Sequence, residues 1–81
     1  MDDPQIHGHI EALVAEEHRL LALAEEESGL DAEQHLRLEA VKIELDRYWD
    51  LLRQRRALFD AGRDPDDASL RSADTVEHYE Q

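Results

Sequence analysis

Cysteine is missing from this chain altogether, so neither a disulfide nor a thiolate-bound metal holds it together. Glycine occurs three times and never in a cluster, which removes the phosphate-cradling loops of nucleotide-binding proteins. The aliphatic hydroxyls are confined to Ser28, Ser69, Ser72 and Thr75, and none has the His-plus-acid setting that activates a nucleophile. Basic residues are scarce, 9 against 21 acidic ones, and the net charge of −12 repels nucleic acid phosphate and anionic lipid alike. No apolar run approaches the roughly 20 residues of a membrane span. The opening Met1-Asp2-Asp3-Pro4 is acidic where a secretion signal is basic, so the expected location is the cytoplasm. The expectation is a chain that is not an enzyme, needs no cofactor and contacts neither nucleic acid nor membrane.

What is abundant favours helices: Glu, Leu, Ala and Arg dominate, and proline occurs twice. Asp3 and Pro4 read as N-cap and first helical residue. Ile6, Ile10, Leu13, Leu20 and Ala24 then recur at three- and four-residue steps if Glu17 is counted in the row, with Val14 and Leu21 widening it. A helix over about residues 4–28 follows, stopped by Ser28-Gly29. Asp31 with Gln34 forms a capping box for a second helix, about 32–61, whose row runs Leu38, Val41, Leu45, Tyr48, Leu52, Arg55, Phe59 to the stop at Gly62. Joined by so short a turn, the two must fold back as an antiparallel hairpin occupying residues 1–62. A turn near residue 30 sets Leu20 against Val41, Leu13 near Tyr48 and Ile10 near Leu52.

Residues 63–81 are different, acidic and polar, but Val76 and Tyr79 stand three apart behind Asp74 and suit a helical turn docked on the body. The chain is small enough to remove only about 60% of its unfolded surface from water, and helix two offers Leu36, Ile43, Leu51 and Leu58 off its main row. The predicted architecture is therefore all-α: a two-helix hairpin with a C-terminal extension, paired into a four-helix, coiled-coil-like homodimer. Contact surfaces rather than chemistry are the candidate functional features. The residues expected to carry them are Tyr48, Trp49, Leu52, Arg53, Arg56 and Phe59 at the end of helix two, with Val76 and Tyr79, because aromatic and arginine side chains dominate protein interfaces.

Ala15-Glu16-Glu17-His18-Arg19-Leu20, then Leu45-Asp46-Arg47-Tyr48-Trp49-Asp50-Leu51-Leu52-Arg53-Gln54-Arg55-Arg56-Ala57, then Gly62-Arg63-Asp64-Pro65-Asp66 and Val76-Glu77-His78-Tyr79, make the chain resemble the small actinobacterial proteins of the uncharacterised family DUF2630. The resemblance implies no activity. It does imply that the extension belongs to the domain, since it continues to Tyr79.

Glu17 is the anomaly, an acid in an apolar row beside Glu16 and His18. A metal-binding bundle would use these three residues across a dimer axis, the alternative to a non-enzymatic interaction module. Di-iron bundles use Glu-x-x-His pairs, and this sequence has none. The plainer reading has Glu17 meet Arg47 or another base across an interface. The pairs His7 with Glu11 and His35 with Glu39 supply two ligands each, too few for a metal, and read as solvated helix-face pairs.

Overall fold

The computed structural model describes the backbone of residues 1–79 and the side chains of residues 1–76. The chain folds into two long helices, α1 (Asp3–Ala24) and α2 (Ala32–Asp60), a single 3₁₀ turn (Pro65–Asp67) and a short helix α3 (Ala73–Tyr79). α1 begins one residue earlier than its sequence signals indicate. Asp2, not Asp3, is the N-cap, because its carboxylate and the Gln5 side chain close a reciprocal capping box at 2.9 Å each way. α2 starts with the same device, Asp31 and Gln34 exchanging hydrogen bonds at 2.8 and 3.0 Å.

α1 also ends earlier, at Ala24 rather than near residue 28. Three consecutive carboxylates, Glu25, Glu26 and Glu27, would oppose the negative end of the helix dipole there. The helix instead tightens, Glu25 and Glu26 donating their N–H groups to Ala22 and Leu23, and Gly29 turns the chain at φ 63°. The longer connection moves the hairpin register by about one helical turn. Asp3 meets Arg55, His9 stacks flat on Tyr48 with centroids 4.9 Å apart, and Glu16 meets Arg37.

Ile6, Ile10 and Leu20 of α1 and Leu38, Val41, Leu45 and Leu51 of α2 form one buried cluster, with Leu13, Val14, Leu30, Tyr48 and Leu52 half-buried against it. Ala24 and Phe59, expected at the ends of the two rows, are exposed; α1 starts opposite Arg55, so Phe59 lies beyond its reach.

After α2 the chain reverses through a Schellman motif. Gly62 adopts φ 72° and Arg63 donates its N–H to the Leu58 carbonyl at 2.8 Å. Residues 63–76, the strap, then run back along α2, and both the 3₁₀ turn and α3 pack on that helix. Val76 is 2% exposed, and Ala68 packs against the central cluster. Tyr79, expected to dock beside Val76, lies outside the side chains described. The result is elongated, 52 × 26 × 15 Å.

Ile6, with no exposed surface, anchors α1 on α2. Ile6→Ala is expected to cost about 2–4 kcal/mol in urea denaturation, the usual cost of truncating a buried aliphatic side chain.

Candidate functional site

α2 meets different neighbours on its different sides. At about 100° per residue, Arg47, Leu51, Gln54 and Leu58 line one side, and Asp50 borders it. The strap lies here, held by side chains that reach its backbone. Arg47 Nε donates to the Arg71 carbonyl at 2.9 Å, Gln54 Nε2 to the Ser69 carbonyl at 2.8 Å, and Arg55 Nη1 to the Pro65 carbonyl at 3.3 Å. Gln54 also accepts the Ser69 N–H through Oε1 at 3.5 Å, so one amide reads both polar groups of one residue.

Asp50 is the buried polar centre of this arrangement, 5% exposed. Its Oδ2 accepts from Gln54 at 2.9 Å, and its Oδ1 faces the Arg71 guanidinium at 3.5 Å. Among the described residues no buried side-chain polar atom is left without a partner. Arg55 ties three segments together: its Nε meets Asp3 of α1 at 2.5 Å and its Nη1 meets Asp66 at 2.9 Å. The hydrogen bonds that the guanidinium donates to Asp66 and then to Asp3 favour its charged form and raise its pKa further.

The residues picked out from sequence separate into distinct groups. Val76 is buried under the strap's own docking and offers no free surface. Tyr48 is half-buried, occupied by His9. Trp49 is 44% exposed, so it does not close the hairpin's own core. Leu52 and Phe59 line an open cleft of about 500 Å³ at the end of the hairpin, together with His7, Arg55 and Arg56. Phe59 is 72% exposed there. Arg56 is exposed and touches Asp60 only at 4.0 Å, while Arg53 is exposed on the Trp49 side.

Glu16, Glu17 and His18 do not form a cluster. Glu16 grips Arg37 through both carboxylate oxygens, with Nη2 to Oε1 at 2.6 Å. Those hydrogen bonds hold the Glu16 carboxyl below its ordinary value. Glu17 is half-buried, and Arg47, its expected partner, instead holds Glu44 at 2.5 Å and the strap. Among the described residues no three His, Asp or Glu side chains are grouped to hold a metal ion.

Asp50, Gln54, Arg55 and Arg71 were not singled out from sequence as a docking site. The signal is polar residues 47, 50 and 54, at steps of three and four, on the side of the helix that also carries apolar Leu51 and Leu58. A lone arginine in an acidic tail, Arg71, was its complement.

The chain matches the family described as "Protein of unknown function (DUF2630)" over residues 2–81. It is similar to uncharacterised proteins of Mycobacterium bovis and of two strains of Mycobacterium tuberculosis. Each is 47% identical over 77 residues, which cover 95% of this chain and 88% of the relative. No solved structure matches. Among the described residues no helix is long and apolar enough to cross a membrane.

Two outcomes are expected from this geometry. Asp50→Ala leaves the Gln54 amide and Arg71 without their carboxylate and costs about 1–3 kcal/mol in urea denaturation, the range for a lost hydrogen bond to a charged group, since Arg71 keeps part of its hydration. Glu16 has a depressed folded pKa, so its contribution is fully present above the ordinary value of 4.5 and fades as pH falls through the lower folded value. The difference in melting temperature between wild type and Glu16→Gln should therefore shrink on acidification below about pH 4.5.

Proposed function

The chain belongs to the DUF2630 family, and from that premise we propose that it is a non-enzymatic helical interaction module whose first partner is a second copy of itself. The observation that carries this is Trp49, 44% exposed in the middle third of a 29-residue helix. It lies on the side of α2 away from the strap, where spacing places it with Lys42, Arg53 and Arg56. A large apolar ring left half in water beside exposed cations is the make-up of an interface anchor.

Charge supports a second copy as the occupant. Residues 1–31 hold nine acids and one base, so α1 of one chain complements the basic flank of Trp49 on another. Leu21, on α1, is 41% exposed and adds apolar surface. Of the apolar surplus that pointed to a dimer, Leu51 is covered within the chain itself and Ile43 and Leu58 are half-buried, while Leu36 stays 73% exposed.

Sedimentation equilibrium at micromolar concentration is expected to report twice the chain mass. Trp49→Glu, which replaces a half-exposed side chain and not a core one, should return a folded monomer. A wild-type chain that is monomeric and cooperatively folded would contradict the pairing.

A further inference from the structure

The strap side of α2 has the properties of a peptide-binding groove, seen here with the chain's own segment in it. From Ala68 to Ser72 the strap has no regular secondary structure, and side chains of α2 take up its backbone groups. Gln54 contacts both the C=O and the N–H of Ser69, and Arg47 takes the Arg71 carbonyl. Backbone contacts of this kind hold an extended chain without reading its sequence. Sequence is read at two points. The buried Asp50 carboxylate faces the Arg71 guanidinium, and five residues further on Val76, in the helix α3 that packs on α2, is buried to 2% exposure.

We infer that this side of α2 is a docking groove for a peptide segment carrying an arginine and, five residues later, a β-branched apolar residue at the start of a helical turn, and that the strap is its resident competitor. The occupant is defined by the groove's own chemistry: a cation for Asp50, extended backbone for Gln54 and Arg47, and a small apolar side chain after a Ser/Thr-capped turn. Ser72 supplies that cap here, its Oγ accepting the Thr75 N–H at 3.2 Å.

Two features make the strap displaceable. Its fixings are mainly polar contacts that water can replace, with Val76 the one fully buried side chain it contributes among the described residues. The seven residues of the central cluster, Ile6, Ile10, Leu20, Leu38, Val41, Leu45 and Leu51, all belong to α1 and α2, with the strap's Ala68 packed against them, so lifting the strap uncovers the Leu51 side of α2 and leaves the contacts between the two long helices in place. The groove lies on a different side of α2 from Trp49, so peptide docking and self-association are separable.

The test uses the full-length chain and a fluorescein-labelled synthetic peptide copying residues 63–79. A tethered competitor at roughly millimolar effective concentration weakens apparent binding in proportion to the time it occupies the groove. Arg71→Glu, which loosens the strap and leaves the groove intact, should therefore bind the peptide at least about tenfold more tightly than wild type by fluorescence anisotropy. Adding Asp50→Asn to that variant should remove the gain, and a peptide with Arg71→Glu should not bind. Equal binding to both chains, binding indifferent to Asp50, or no binding up to millimolar peptide overturns the inference. A second readout needs no variant. In wild-type chain, excess peptide should accelerate hydrogen exchange at the chain's own Val76 N–H, which bonds to the Ser72 carbonyl at 3.2 Å. Unchanged exchange there contradicts displacement. Sedimentation of the same samples separates this result from self-association, since dimer mass with no peptide binding defeats the groove alone.

Discussion

One helix of a two-helix hairpin can bury only the side that faces its partner, and α2 carries apolar residues on more than one side. The rest of the molecule follows from that constraint. α1 covers Leu38, Val41 and Leu45, while the strap brings Ala68 against the same cluster and docks Val76 on α2. The chain reverses at Gly62 for this purpose, and a residue with a Cβ would be strained at φ 72°. α2 is thus a spine with a helix along one side and a strap along another.

The two attachments differ in chemistry, and stability should be distributed accordingly. α1 is held by aliphatic burial, with Ile6 and Val41 fully enclosed. The strap is held by Asp50, Gln54, Arg47 and Arg55, and these contacts exchange with water at small net cost once the segment lifts. Few buried apolar contacts and many polar ones define a segment that opens before the global transition. Arg55 belongs to both attachments, since it meets Asp3 of α1 and Asp66 in the strap's first turn.

Much of the hairpin was legible in the sequence because its signals are local. The Asp31–Gln34 box, Gly29, Gly62 and the three-four rows each act within one or two helical turns. The end of α1 is less legible, because apolar spacing continues to Ala24 and Gly29 supplies a stop signal, whereas Glu25, Glu26 and Glu27 oppose the helix dipole first. That shift of a few residues moved the cross-hairpin register, which stacks His9 on Tyr48, the residue expected near Leu13. The strap site was harder to read. Asp50, Gln54 and Arg71 are ordinary surface residues in a sequence, and they become a site only when residue 71 returns to residue 50 in space. Glu16 was weighed as a metal ligand, while its partner Arg37 lies 21 residues away in sequence and drew no notice.

α2 presents a side with Trp49 and flanking cations that remains exposed, and a side closed by a strap with a buried carboxylate beneath it. The central claim is that the strap is docked on α2 as a separately opening unit. Native-state hydrogen exchange at increasing urea measures this most directly. The account predicts that the Ala68 and Val76 amides are protected, but with an opening free energy clearly below that of Val41 and Leu45 in the core. Exchange at residues 68–76 at random-coil rates would contradict docking, and protection merging with that of Val41 at every urea concentration would contradict separate opening.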